Sequence, residues 1–376
     1  MANNIFLNHG KRILSRLFSR KRNFPSLRTL LASEASHWIS LLKPIWLSSP
    51  VQIAMDLPLI KNRFDVAIID EASQLLLSHS LGAIYRSNQL IVAGDSMQMA
   101  PSAFFQRGTS NALTLLDQAA FNLPQSPLKF HYRSQHEGLI QFSNQHFYSN
   151  ELIVLPSYPN YQAIASIYLP GTHYKDGINL VEAQAAKNLL IEKLGLKEAR
   201  IGLVAFSEKQ LKAIISLCTA TERLAIELAL ESDVLFLKTA EQVQGDECDE
   251  IIVSFGYGYN EDGRFDLRFG PLTQEGGDKR LNVLFSRAKR KIHFIHSVRA
   301  EDFPISENPA IHMLKQWFSY IEKTKSASNS LRILNLNNDQ IDGREIRIQR
   351  WIDLSPNVFD IITYEAILSA RGWIIR

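Results

Sequence analysis

The sequence predicts an α/β protein built on parallel sheets, and three observations carry that prediction. Short, wholly apolar runs at 66–69 and 90–93 are followed by largely apolar runs at 201–206, 234–237, 251–255 and 292–295. Such runs read as strands buried on both faces, the pattern of a parallel sheet. Helix-compatible stretches such as 182–194 and 208–217 lie between several of them, and strands alternating with helices mean α/β architecture. Polar residues gather just past the ends of the runs, where open α/β sheets bind ligands.

The elements follow in order. Residues 3–22 read as a basic amphipathic helix with Ile5, Leu14, Leu17 and Phe18 as its apolar positions. Lys11, Arg12, Arg16, Arg20, Lys21, Arg22 and Arg28 crowd this region, and the first acidic residue is Glu34. An Arg- and Ser-rich, acid-poor start superficially matches an organellar transit peptide; a basic solvated helix is the plainer reading. Pro25, Pro44 and Pro50 punctuate the next stretch. The first set of strands begins after Phe64, and residues 113–127 separate it from the second set, so a domain boundary is expected there. Past Pro304 the strand pattern stops. Residues 309–323 read as one helix, 325–338 as a Ser- and Asn-rich linker, and 360–372 as a further amphipathic helix.

Bulk numbers exclude several classes. The 376 residues suffice for about two or three domains. With 45% hydrophobic and 21% charged residues the chain can build a core without disulfides. A formal charge of +3 does not by itself argue for a nucleic-acid partner. Cys218 and Cys248 form no metal-spaced pair, which excludes a CxxC zinc site and suits a reducing, cytoplasmic compartment. No apolar run approaches the roughly 18 residues that cross a bilayer, so no membrane partner is expected.

The strongest local signal is Phe64-Asp65-Val66-Ala67-Ile68-Ile69-Asp70-Glu71-Ala72-Ser73-Gln74. An apolar strand here delivers two adjacent carboxylates to its end. In a phosphoryl-transfer site Asp70 would hold Mg²⁺, usually through water, and Glu71 would orient and deprotonate the attacking water. The bland alternative is a solvated strand terminus. The next strand runs into Gly94-Asp95-Ser96-Met97-Gln98-Met99-Ala100-Pro101. Gly94 permits a sharp turn, and Gln98 is an uncharged donor suited to a γ-phosphate or the attacking water.

These two runs together resemble motifs II and III of superfamily 1 helicases, specifically the Upf-like group. Later segments fall in that family's order. His131-Tyr132-Arg133-Ser134, with Leu139, Phe142, Asn144 and Phe147 following, is similar to motif IV. The strand at 201–206 with Gln210 resembles the opening of a second motor domain. Lys238-Thr239-Ala240-Glu241-Gln242-Val243-Gln244-Gly245-Asp246-Glu247 looks like motif V, and Arg280 through Lys289 like motif VI. Residues 42–50 resemble the stretch before motif II. The resemblance covers roughly 25–303.

It implies two RecA-like parallel-sheet motor domains plus a short C-terminal tail: an incomplete first domain at 1–122, a second at 123–305, and a tail with helix and linker at 306–376. It implies ATP and Mg²⁺, with single-stranded DNA or RNA as partner. Arg133 and Arg287 match arginines that reach across the family's nucleotide cleft, a contribution worth about 10³–10⁵ in rate. Gln244, Gly245 and Glu247 would couple nucleotide to the strand-binding face, with Glu247 touching the nucleotide sugar. Arg280 would shape the motif VI helix or meet a carboxylate near the nucleotide. Ser49, Pro50, Pro101, Ser207 and Thr239 match positions near the nucleic-acid path, where backbone contacts dominate. The aromatics Phe104, Phe105, Phe130, Tyr132, Phe147 and Tyr148 are expected in the core rather than as stacking platforms.

One departure stands out. A phosphate loop reads Gly-x-x-x-x-Gly-Lys-Ser/Thr, because backbone N–H groups wrap the phosphates and Lys neutralises them. Gly10-Lys11-Arg12 is the nearest run, with Ile5 in place of the first Gly and Arg12 in place of the hydroxyl. The chain is therefore expected to be a fragment that starts after motif I, or half of a split protein whose partner carries the loop. Its sheet, deprived of a central strand, would expose apolar surface. Two enzyme-free or competing readings stand beside the motor. One is an inactive remnant that still grips single strands. The other is a transporter-type ATPase, disfavoured because nothing resembles a signature loop. Residues 359–376 faintly resemble the opening of a small nuclease-like domain, with a docking tail as the plainer reading.

Overall fold

The computed structural model describes residues 2–99, 113–154, 162–197 and 199–327, with side chains from residue 8 to 323. Pro101, Phe104, Phe105 and the expected helix at 360–372 lie outside the described residues. The chain divides into two compact units, Met1–Ser126 and Pro127–Arg376.

In the first unit, four helices precede the first strand: α1 (Ala2–Phe18), α2 (Leu27–Leu31), α3 (Ser36–Leu42) and α4 (Pro50–Asp56). Strand β1 (Phe64–Ile69) crosses through α5 (Leu77–Tyr85) to the parallel strand β2 (Ser87–Val92), and α6 (Leu115–Asn122) follows. Thr114 and Asp117 start α6 with a capping box, each side chain bonding the other's backbone N–H. The small core joins Ile69, Ala72 and Leu115 to Leu75, Ile84, Leu90 and Val92. Arg86 is buried, and among the described residues no carboxylate pairs with it. It donates to the carbonyls of Leu57, Pro58 and Gly82, while Arg28 donates to those of Ala54 and Met55. Both guanidinium groups thus sit at the C-terminal end of α4, where the helix dipole favours cations.

The expectation that β1 and β2 are buried on both faces fails. Alternate residues of a strand point to opposite faces, and only the face with Ile69, Leu90 and Val92 is covered. On the other face Ile68 is 70% exposed and Ile91 52%. Among the described residues the pair has no third strand, and on that face Phe64 meets Trp46 of the loop before α4.

In the second unit the short strands β3 (Phe130–His131) and β4 (Ile153–Val154) pair in parallel around α7 (Gly138–Phe147). Then come β5 (Ile164–Tyr168), the hairpin of β6 (Tyr174–Lys175) and β7 (Ile178–Asn179), α8 (Leu180–Leu196), β8 (Ile201–Ala205), α9 (Glu208–Ser216), α10 (Ala220–Glu231), β9 (Leu235–Thr239), β10 (Cys248–Ser254), α11 (Gly277–Phe285), β11 (Ala288–His296) and α12 (Pro309–Ala327). The sheet is five-stranded and wholly parallel, ordered β5-β11-β10-β8-β9. The protein is thus α/β, as the strand–helix alternation predicted. One face carries Ala183, Ala186 and Leu190 of α8 with Ile214 and Ile226. The other carries an aromatic layer in which Phe255, Phe294, Phe303 and Phe318 meet edge to face or tilted. Trp317 of α12 stacks on Phe285 of α11 with ring centroids 3.8 Å apart. Helix α12 continues to Ala327, into the stretch expected to be linker.

A buried polar knot fastens α8 to the sheet. Asn179 caps α8 by accepting from Glu182 N, and Gln210 bonds both Asn179 N and Asn179 O. Glu182 is fully buried and accepts from Gly256 N at 2.7 Å and from Ser254 Oγ at 3.4 Å. Burial pushes its carboxyl up to about 8, against the opposing pull of Gly256, Ser297 and Ser254. A folded state that holds this proton more tightly than the unfolded chain loses stability as pH rises from the ordinary carboxylate range through about 8. Replacing Glu182 with Gln is expected to flatten that fall. Melting temperatures of both proteins between pH 5 and pH 9, in roughly unit steps, check this; parallel curves would rule it out.

Candidate functional site

Two clusters hold the residues singled out from the sequence, one in each unit. The first lies at the carboxyl ends of β1 and β2. Ala93 N donates to Ile69 O at 2.8 Å and Ala72 N to Ala93 O at 3.0 Å, so the two strand exits are bonded side by side. Glu71 adopts the left-handed region at φ 52°, ψ 37°, a conformation costing a non-glycine residue about 1–2 kcal/mol. It turns the chain sharply after Asp70. Asp70 Oδ1 accepts from Glu71 N at 2.8 Å, and Gln74 Nε2 donates to Glu71 Oε2 at 3.0 Å. Gly94 lies close to the neighbouring turn: a Cβ there would stand 3.1 Å from Ala72 N and 3.2 Å from Ser73 N.

Gln98 lies beside this turn, with its amide engaged. Its Nε2 donates to Asp95 Oδ2 at 3.0 Å, and Asp95 Oδ1 accepts from Met97 N. The structure thus brings Asp70, Glu71, Asp95 and Gln98 to one end of the strand pair. Gln74 and Asp95 were not singled out as functional residues. Gln74 is legible in retrospect, three residues after Glu71, at the spacing of the short 3-10 turn Ala72–Gln74.

The second cluster gathers Arg133, Glu247 and Lys289. It forms at the amino ends of β10 and β11, because the parallel register sets Cys248 opposite Ala288. The residues just before β10 then face those that open β11. Glu247 Oε2 accepts from Arg133 Nε at 3.1 Å and Glu247 Oε1 from Lys289 Nζ at 2.5 Å. Lys289 and then Arg133 hold the Glu247 carboxyl below the usual range, against partial burial. Lys238 pairs with Asp246 across the same loop. Gly245 takes φ +83°, which explains a glycine at that turn. Gln244 is half-buried beside it.

Arg287 is 2% exposed. Its Nε donates to Val283 O at 2.9 Å and its Nη1 to Asp246 O at 3.2 Å. Arg280 donates from Nη1 to Pro271 O and Glu275 O, so it braces the entry to α11. Lys289 was missed as a partner of Glu247, since nothing in the local sequence pairs residues so far apart.

Of the residues matched to the nucleic-acid path, Ser49 caps α4 by accepting from Gln52 N, with Pro50 in the first turn. Ser207 caps α9 by accepting from Gln210 N. Thr239 ends β9, and its N–H donates to Gln242 Oε1. Of the aromatics expected in the core, Tyr132 is 80% exposed. Phe130 and Phe147 are half-buried, and Tyr148 Oη accepts from Asn282 Nδ2.

A metal fits the first cluster by its chemistry. Mg²⁺ keeps several waters and takes one or two carboxylates. Asp70 is exposed with one oxygen on Glu71 N, and among the described residues its other oxygen meets no donor. Among the described residues no three His, Cys, Asp or Glu gather as a transition-metal cage would need, and no helix is long and apolar enough to cross a membrane.

A family model described as an AAA domain matches residues 105–299, just over half of the chain. The chain belongs to that family, within the superfamily 1 Upf-like helicases. Similar proteins include an uncharacterized ATP-dependent helicase, MG140, of Mycoplasma genitalium, 30% identical over 292 residues and covering 70% of this chain and 26% of that protein. An uncharacterized ATP-dependent helicase of Methanocaldococcus jannaschii, MJ0104, is 26% identical, covering 62% and 36%. The DNA replication ATP-dependent helicase/nuclease DNA2 of Gallus gallus is 25% identical, covering 64% and 24%. The chain therefore spans between about a quarter and a third of the length of these relatives.

Proposed function

We propose that this chain contributes the hydrolytic core of an ATP-dependent helicase or translocase acting on single-stranded DNA or RNA, built on two RecA-like domains. The observation that carries the reading is the Asp70-Glu71 turn bonded beside Gly94-Asp95, with Gln98 in the same cluster. In that reading Asp70 holds Mg²⁺ through water, and Glu71 takes the proton of the attacking water. Gln98 meets the γ-phosphate after its amide leaves Asp95. Arg133 and Arg287 stabilise charge on the transferred phosphoryl group. Gln244, Gly245, Glu247 and Arg280 serve the nucleotide, and Ser49, Pro50, Pro101, Ser207 and Thr239 the strand. The metal supplies neutralisation of phosphate oxygens.

The family membership and the helicase relatives support this assignment. Hydrolysis of ATP by the purified chain, with and without single-stranded DNA or RNA, tests it. Glu71→Gln keeps the shape of the turn and removes the base, so turnover should fall by about 10²–10⁴. Turnover that survives the substitution would remove Glu71 from its role.

A second reading has one observation in its favour: none of the 376 residues forms a Gly-x-x-x-x-Gly-Lys-Ser/Thr run. It makes the chain a strand-binding module without turnover. Salt-sensitive strand binding with no ATP hydrolysis would select it.

A further inference from the structure

The basic helix at the start of the chain takes no role in the proposed phosphate chemistry. Its charge is nonetheless the main electrostatic feature of the sequence. Lys11, Arg12, Arg16, Arg20, Lys21, Arg22 and Arg28 are all the basic residues before Glu34, and no acid stands among them. Subtracting these seven from the 41 Lys and Arg leaves 34 against 38 Asp and Glu in the rest. The chain is positive only because of this segment.

The fold presents that charge to solvent. Helix α1 packs through Gly10, Leu14 and Leu17, spaced by four and three residues as one helical face requires. Leu14 is buried, and Gly10 lies so close to the Glu34 carbonyl that no Cβ would fit. His9 pairs with Glu34 on the same side. Lys11, Arg12 and Arg16 consequently fan over the opposite face, all exposed. Arg20, Lys21 and Arg22 extend the patch past the helix end, bracketed by Phe18 at 81% exposure and Phe24 at 63%.

The rest of the molecule leaves this charge uncompensated. Among the described residues no carboxylate pairs with Lys11, Arg12, Arg16, Lys21 or Arg22, and Arg20 donates only to the carbonyl of Asn23. Arg28, by contrast, is spent on the carbonyls of Ala54 and Met55. Six cations with no carboxylate partner among the described residues, beside two exposed aromatic rings, are the ingredients of a single-strand surface. Cations track the phosphates, and rings stack on bases irrespective of sequence.

We propose that the outer face of α1 and the Phe18–Phe24 turn form a second contact for single-stranded nucleic acid, apart from the positions in the family motifs. The surface takes the sugar–phosphate backbone through Lys11, Arg12, Arg16 and Arg20–Arg22, and a base against Phe18 or Phe24. It rests on the nucleic-acid partner of the proposed function but on none of its phosphate-transfer roles.

The test is fluorescence anisotropy of labelled single-stranded oligonucleotides, thymidine and uridine homopolymers, with the full chain over a range of salt. The variant carries Lys11→Gln, Arg12→Gln and Arg16→Gln, all on an exposed helix face where Gln is a good helix former. Each phosphate contact on a single strand contributes about 0.7 to the slope of log affinity against log salt. Losing three should reduce the slope by about 2, and weaken binding about 100-fold at 0.1 M salt. Phe18→Ala with Phe24→Ala should weaken binding while leaving the slope unchanged. Equal slopes for wild type and triple variant, with matching circular dichroism, would overturn the proposal. So would failure of the wild type to bind either oligonucleotide. So would capture by phosphatidylserine vesicles at salt concentrations where no strand is bound, which would make the patch a membrane surface. The two readings fail separately. An absent or Glu71-independent turnover with the slope change intact rejects only the motor assignment, and the reverse rejects only this surface.

Discussion

Truncating Trp317 to Ala should cost the second unit about 3–5 kcal/mol, the range for losing a large buried aromatic. Trp317 is fully buried and stacks on Phe285 with the planes 8° apart. It also meets Phe142 of α7 and Phe294 of β11 edge to face. One side chain therefore ties α7, α11 and α12 to the sheet, and its removal opens a cavity between rigid elements that cannot all close at once. For a unit of this size the loss corresponds to a melting shift of roughly 10 °C. Differential scanning calorimetry reads it as one transition moving while another stays. A shift below about 2 °C would mean that α12 can leave the sheet without loss. Trp317→Phe, which keeps part of the stack, should recover much of the stability.

The second large effect concerns the two arginines assigned to the transferred phosphate. In a preparation that shows strand-stimulated turnover, Arg133→Ala and Arg287→Ala should each lower it by about 10³–10⁵. Their environments separate them. Arg133 is a half-buried group on the half-buried carboxylate of Glu247, and partly exposed ion pairs of this kind contribute about 0–1 kcal/mol. Its loss should leave the melting temperature almost unchanged. Arg287 is buried, and its removal strands the carbonyl of Asp246 while Val283 O keeps the Ser286 hydroxyl and N–H, at a cost of about 1–3 kcal/mol. Lysine at 287 would restore charge but not the fork that reaches both carbonyls. Measuring turnover and melting on the same four proteins resolves the two positions. Equal stability losses at 133 and 287 would contradict this geometry, and unchanged turnover at either would remove it from the chemistry.

Much of the second unit was legible from composition alone. The runs at 201–206 and 251–255 are central strands, and a central strand of a parallel sheet has no polar face to disguise it. Edges were harder. β5 was not anticipated, since Ser166 interrupts its apolar run, and only in the fold does the Ser166 hydroxyl meet His296 Nε2. β11 begins at Ala288, four residues before its apolar stretch. The charges at its start are accommodated by Glu250 on the neighbouring strand, which meets Arg290 and His293, and Lys193 of α8. A local pattern cannot display a partner that lies some forty residues away.

The same divide runs through the candidate site. Asp70 and Glu71 adjoin in sequence, as do Gly94 and Asp95, and the strand that carries each pair also aims it. Glu71's left-handed backbone, the hold of Gln74 on its carboxylate and the engagement of Gln98 with Asp95 depend on two adjacent strand exits. In the second unit Arg133, Glu247 and Lys289 come from three distant segments: parallel register sets Glu247 near Lys289, and the bond from Gln135 N to Lys289 O brings in the segment that carries Arg133.

By itself the sequence determined the α/β class, the order of the motifs and the concentration of positive charge before Glu34, because each is a local property of residue type and spacing. The tertiary structure decided which strand faces stay exposed, where Arg133 and Arg287 anchor, and which side of α1 carries its cations to solvent. Those depend on what packs against what, and packing joins residues that the chain keeps far apart.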